Sequence, residues 1–167
     1  MAADPDMADR ARALIARLEL VPHPEGGFYR ETYRAAEMVY SPRVGASRHC
    51  LTDIYFLLLA GQISRFHRVH HDELWHFHEG APLELFEFND CSQEMRVTRL
   101  DPAGDPPCFR HCVVGGLWQA AVPCGDFSLV SCTVAPGFDF ADFSFLADSP
   151  EAVAWLRALY PGQAHLV

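Results

Sequence analysis

Five of the chain's nine histidines fall between Gly61 and Gly80, in the run Ser64-Arg65-Phe66-His67-Arg68-Val69-His70-His71-Asp72-Glu73-Leu74-Trp75-His76-Phe77-His78. Imidazole ligates metals, moves protons near neutral pH and hydrogen-bonds ligands. Read as two strands, the run sorts itself, because alternate side chains share a face. His67 and Val69 point one way on the first strand. Glu73, Trp75 and Phe77 share a face of the next, and Leu74, His76 and His78 take the other. A carboxylate among inward apolar side chains needs a reason, since burying it unpaired is costly. His67 is therefore expected to meet Glu73 across a pocket, where imidazole and carboxylate tune one another. The plainer alternative is a buried hydrogen-bonded pair that joins two strands.

Around that pair stand further candidates. Ser64, Arg65, His70, Trp75, Phe77, Trp118 and Phe138 are taken as ligand contacts, the rings suiting a stacked sugar or base. The alternative for most of the rings is ordinary core. Tyr29 and Tyr55 are candidate acids for proton transfer, with no spacing to choose between them. Glu25-Gly26-Gly27 reads either as a turn that brings backbone amides near a ligand or as a tight turn before the first strand.

The elements that must position these groups are mostly short strands. Residues 6–19 carry Ala8, Ala11, Leu14, Ile15 and Leu18 at helical spacing. Val21-Pro22-His23-Pro24 stops that helix. From Phe28 to about Val134 the helical period vanishes, and candidate strands follow at 28–33, 53–59, 64–69, 74–78, 83–87, 95–100, 111–113, 118–121 and 127–134. Strands at this spacing predict a sandwich or barrel, an all-β domain. Ser149 and Pro150 open a second helix, over 150–160, that Pro161-Gly162 ends. With no repeat or linker, one domain spans 1–167, and the short helices flank a barrel of about 28–146.

Bulk properties exclude several classes. The 167 residues suit a single core. A formal charge of −9 disfavours nucleic acid and anionic membranes. No apolar run reaches the length of a membrane helix. The N-terminus lacks an apolar signal core, so a cytoplasmic chain with reduced thiols is expected. None of the six cysteines forms a C-x-x-C pair, which removes zinc-ribbon and thioredoxin readings.

The run from Gly61 to Gly80 resembles the first motif of the cupin superfamily, G-x5-H-x-H-x3–4-E-x6-G, with Gly61, His67, Glu73 and Gly80 at the required spacings. Pro123 and Gly125 match part of the second motif, G-x5-P-x-G-x2-H-x3-N; Gly116 lies one residue too far out. More closely, the chain is similar to the cupin-5 (DUF985) family. The carrying stretches are Pro22–Thr32, Ser64–Arg68, Asp72–Phe77, Ser128–Cys132 and Val134–Phe138, across roughly residues 14–146. The resemblance implies a double-stranded β-helix, the cupin jelly-roll barrel, and a homodimer.

Departures from the motifs matter for chemistry. Val69 stands where a metal cupin has its second histidine, Ser128 where it has the histidine of motif two, and Cys132 where it has asparagine. Ser128, facing inward in such a barrel, is a candidate ligand contact instead. No cofactor is expected with so few ligands. The remaining metal candidates are His67, Glu73 and a His70 that a bulge would have to turn inward to hold a divalent transition metal. The resulting expectation is a pocket for a small polar metabolite such as a carbohydrate or nucleotide sugar. One alternative is a metal-independent sugar epimerase or isomerase, as some cupins are, with His67 as base, Glu73 orienting it and Tyr29 as acid. A metal-dependent enzyme with a degenerate site is the other.

Overall fold

Two antiparallel sheets face each other across a core of large side chains, and a helix covers the outer face of each. The computed structural model describes residues 5–167; residues 1–4 of the expected domain lie outside the described residues. In chain order the strands are β1 (Val21–Pro22), β2 (Phe28–Arg34), β3 (Met38–Ser41), β4 (Ala46–His49), β5 (Thr52–Leu59), β6 (Ser64–Val69), β7 (Asp72–Gly80), β8 (Leu83–Asn89), β9 (Glu94–Leu100), β10 (Arg110–Val113), β11 (Trp118–Pro123), β12 (Phe127–Ala135) and β13 (Phe143–Phe145). The first sheet runs β1-β2-β5-β12-β7-β10 and the second β13-β6-β11-β8-β9, while β3 and β4 form a separate hairpin.

The sequence of β5, TDIYFLLL, shows why the layers form. Phe56 and Leu58 point between the sheets, against Trp75, Leu83, Leu85 and Val130. Leu57 points the other way, onto Ala11 and Leu14 of helix α1 (Pro5–Arg17). All three are buried, so this strand has no wet face. On the second sheet Phe66, Phe86, Phe88 and Trp118 pack under Ala152 and Leu156 of helix α2 (Pro150–Leu159). The two expected helices thus seal the two outer sheet faces.

Their ends differ from the sequence reading. Helix α1 stops at Arg17 rather than at residue 19, because Glu19 turns to φ 53° and the Leu20 amide reaches back to the Ile15 carbonyl at 2.9 Å, a Schellman closure. Ser149 occupies the cap position of α2, but its side chain makes no capping bond. Four strands were not anticipated: β1, β3, β4 and β13. They are two to four residues long and, Ser41 apart, have no buried residue, so they carry little apolar pattern. None of the helices among the described residues is long and apolar enough to cross a membrane.

Candidate functional site

One end of the space between the sheets is not filled. A cavity of about 450 Å³ opens there, within the range of small-molecule sites. Its polar base is made of His23, Glu25, His67 and Glu73, and its walls of Tyr29, Ile54, Val69, Cys132, Val134, Phe138, Phe140 and Phe143. Arg30, Arg34, Glu19 and Glu31 stand at its edge, each arginine paired with a glutamate at 2.7 Å.

Glu25 reaches the base because of the two glycines after it. Gly26 and Gly27 sit at φ 116° and 70°, in the left-handed region that favours glycine. A Cβ on Gly26 would collide with the Ile63 carbonyl oxygen, and one on Gly27 would lie 2.7 Å from the Leu57 carbonyl oxygen. The turn therefore lies flat on β5 and β6, and the Arg65 amide bonds the Glu25 carbonyl at 2.9 Å. Of the two readings offered for this turn, neither named the group it delivers, which is the Glu25 carboxyl.

That carboxyl holds His67. The imidazole Nε2 is 3.2 Å from Glu25 Oε2, and Nδ1 is 2.8 Å from the Arg65 carbonyl oxygen. A carbonyl only accepts, so Nδ1 carries a hydrogen, and Nε2 is left as the nitrogen that faces the Glu25 carboxyl. Burial lowers the His67 pKa, partly opposed by the charge of Glu73, and burial raises that of Glu25. Both shifts favour neutral imidazole beside neutral carboxylic acid. The Ser64 hydroxyl donates to Glu25 Oε1 at 3.0 Å. His23 accepts the Glu25 amide on Nδ1 at 3.3 Å, and burial lowers its pKa as well.

Glu73 stands apart from this set. It makes no hydrogen bond to His67; its Oε2 accepts from the Gln119 amide. The Trp75 indole donates to Gln119 Oε1 at 3.0 Å, and an indole cannot accept, so the amide must turn its NH2 toward Glu73. Burial, the largest effect, pushes the Glu73 pKa up to about 7; the His67 charge and the Gln119 and Cys132 hydrogen bonds pull against it. Glu73 is thus part ionised and part protonated near neutral pH.

The structure brings His67, Glu73, Tyr29 and Phe138 of the expected site onto this cavity and leaves the rest elsewhere. Ser64 lies one layer back, behind Glu25. Arg65 shares the parity of His67, but at the strand's end it bonds the Pro24 carbonyl at 2.8 Å and covers the Phe145 ring. Trp75 and Phe77 do face inward, into the filled half of the barrel. Trp118 is on the outer face under α2, its indole bonded to Asp90 at 2.9 Å. The Ser128 hydroxyl donates to the Ala81 carbonyl at 2.6 Å, at the far end of β12. Tyr55 faces α1 and packs edge-on to His78, off the cavity.

His70 sits in the two-residue turn between β6 and β7, its carbonyl bonded by Arg43 at 2.8 Å, and no bulge turns it inward. The donor set does not fit a metal. Both His67 nitrogens are engaged, Glu73 is tied to Gln119, and Val69 offers no ligand. Among the described residues no three His, Cys, Asp or Glu side chains converge as a metal site.

The sequence signals for the missed groups were present but indirect. Glu25 and His23 lie in the Pro22–Thr32 stretch, ahead of the first strong strand, where parity gives no direction. Phe140 and Phe143 follow Phe138 on an irregular segment whose path only tertiary contacts fix.

Two facing sheets of this topology around an internal cavity make the double-stranded β-helix of the cupins. The family model described as "Cupin superfamily (DUF985)", Cupin_5, matches residues 12–146, and the chain belongs to that family. Two solved relatives span nearly the whole molecule. A hypothetical protein from Leishmania major is 34% identical with a TM-score of 0.79, over 94% of this chain and 96% of that one. A protein from Shewanella oneidensis is 33% identical with a TM-score of 0.75, over 100% of this chain and 96% of that one. Oxalate decarboxylase from Bacillus subtilis, 13% identical with a TM-score of 0.55 over 87% of this chain and 36% of its own, shares the fold. No curated protein matches.

Proposed function

We propose that the chain binds a small polar metabolite in the barrel cavity and moves a proton on it, with Glu73 as the base that takes the proton. One observation carries this reading: Glu73 is buried on the cavity base, where burial pushes its pKa up to about 7, while His67, the more obvious base, has Nδ1 bonded to the Arg65 carbonyl and Nε2 turned against Glu25. A general acid–base works best when its pKa lies near the working pH. The ionised Glu73 would take a proton from a carbon next to a carbonyl, leaving the charge on the carbonyl oxygen. Tyr29 lines the same cavity from β2, three strands from Glu73 across β5 and β12; in this reading its phenol gives a proton to the opposite face of the carbon, and solvent then reprotonates Tyr29 and takes the proton from Glu73. Return from that side inverts the carbon, the chemistry of an epimerase or isomerase acting on a carbohydrate.

The roles of His67 and Glu73 are therefore exchanged relative to the sequence reading. The Glu25–His67 pair holds the cavity base in one arrangement and sets the field at Glu73. The test is solvent exchange. Incubated in D2O with a panel of keto- and aldo-sugars, both neutral and amino-substituted, the protein should place deuterium at a carbon next to the carbonyl of at least one. Binding of a sugar without any exchange would reduce the proposal to a binding protein.

A further inference from the structure

We propose that the natural ligand carries a positive charge, such as a protonated amine, which lies against the phenyl rings of the cavity wall and pairs with Glu73. This rests on the reading of the cavity as the ligand site and names the ligand's charge class.

The charges lining the cavity are lopsided. Of its four glutamates, Glu19 and Glu31 are matched by the two arginines, and the buried carboxyls of Glu25 and Glu73 have no arginine beside them in the lining. Both arginines are already engaged. Arg30 pairs with Glu19 at 2.7 Å and bonds the Leu18 carbonyl at 3.2 Å. Arg34 grips both oxygens of Glu31, at 2.9 and 2.7 Å, and bonds the Phe138 carbonyl at 3.2 Å. An anionic ligand would have to break these pairs or approach two buried carboxyls. The chain has no lysine, so arginine is its only permanently charged side-chain cation.

Glu73 is faced by His67 from β6, by Glu25 from the turn before β2, by Gln119 from β11 and by Cys132 from β12; His23 stands beyond Glu25, and Cys112 of β10 lies within the field of Glu73. Among these groups none is a fixed cation, and burial disfavours the charged form of both histidines. The carboxylate thus lacks a counter-ion that the fold itself supplies.

Beside this acidic base is an aromatic surface. Phe138, Phe140 and Phe143 meet edge-to-face, with centroids 5.0 to 6.1 Å apart, and Phe143 stacks on His67 at 5.3 Å. Ring faces attract an organic cation most strongly when water is excluded, and a nearby carboxylate adds to that attraction. Binding a cation would drive the proton off Glu73 into solvent, leaving a carboxylate–ammonium pair. The substrate would in this way ionise its own base.

Three isosteric probes test the charge class on the full chain: benzylammonium, benzyl alcohol and benzoate, titrated by calorimetry at pH 6 and pH 8. The expected result is that benzylammonium binds best, about tenfold more tightly at pH 8 than at pH 6, because Glu73 is mostly ionised only at the higher pH. Proton release should appear at pH 6 as a binding heat that changes with the ionisation enthalpy of the buffer. Glu73→Gln should weaken benzylammonium and abolish the pH dependence; the buffer experiment on the natural chain tests the same point if that variant does not fold. Equal or tighter binding of benzoate or benzyl alcohol would overturn the proposal, as would no binding of benzylammonium at pH 8. Benzylammonium binding without deuterium exchange into any sugar removes the proton-transfer step and leaves the charge class standing; exchange with preferred benzoate binding does the reverse.

Discussion

The imidazole Nε2 of His67 lies 3.2 Å from Glu25 Oε2, and this contact decides which group in the cavity is free to act. Nδ1 is committed to the Arg65 carbonyl, so the nitrogen that could act as a base is the one turned against Glu25. Glu73→Gln should therefore reduce solvent-deuterium exchange by at least about a hundredfold, the usual scale for losing a general base. Glu25→Gln keeps an acceptor for Ser64 and a donor for His67, and should cost clearly less. Exchange rates of the two variants under saturating substrate check the order.

Glu73 also leaves a signature in stability. Its folded pKa is raised, so the folded chain binds a proton that the unfolded chain has already released between about pH 4.5 and pH 7. The sign follows directly: stability is lost as pH rises through that window, by up to about 3 kcal/mol from this group. The lowered pKa values of His23, His67 and His71 act in the opposite sense, adding stability as pH rises toward their unfolded value. Comparison with Glu73→Gln isolates the glutamate. Urea unfolding at pH 5 and pH 8 should show the variant gaining on the natural chain by roughly that amount at the higher pH.

Gly26 is the pivot of the turn that delivers Glu25. Gly26→Ala adds a Cβ into the Ile63 carbonyl at a φ that alanine rarely adopts, so the turn must move. A loss of about 2 kcal/mol or more is expected, together with weaker ligand binding. Gly61→Ala makes the control, since a Cβ there meets nothing and only its positive φ is strained. Thermal unfolding with and without ligand checks both.

A second polar cluster braces the phenyl wall. Arg48 of β4 grips both oxygens of the buried Asp142 at 2.7 Å, and Asp142 sits between Phe140 and Phe143. His71 lies beside it, bonded to the Ser41 hydroxyl at 2.7 Å. Arg48→Ala leaves the Asp142 carboxylate without its partner and should lower the midpoint of thermal unfolding. Because the strap carries two rings of the cavity, ligand affinity should fall as well.

The homodimer expected from the family resemblance is a further prediction. Tyr33, Met38, Val39 and Tyr40, on the consecutive strands β2 and β3, are exposed apolar side chains of the kind a second copy would cover. Light scattering on the purified chain should give twice the 18.7 kDa mass; a monomer at micromolar concentration removes the expectation.

The sequence reading succeeded where period and turn chemistry are strong. Strand β6 runs from Ser64 to Val69, as its alternation predicts, and the inward parity of His67 follows from it, as that of Glu73 does from the alternation of β7. It failed where direction depends on packing between distant segments. Parity places Trp75 and Phe77 inward but cannot tell the filled end of a barrel from the open one. Nothing near Glu25 in the chain indicates that a double glycine lays it against β6. The aromatic strap at 138–143 has no regular period, so its rings gave no face. The pairing of His67 with Glu25, rather than with Glu73, is a tertiary fact of the same kind.

The central claim is that Glu73 is a buried carboxyl poised between its two protonation states. The direct measurement is its side-chain carboxyl 13C shift followed by NMR from pH 4 to pH 9, assigned by the resonance missing in Glu73→Gln. The structure predicts a midpoint near 7. A midpoint in the ordinary glutamate range, near about 4.3, would contradict the account.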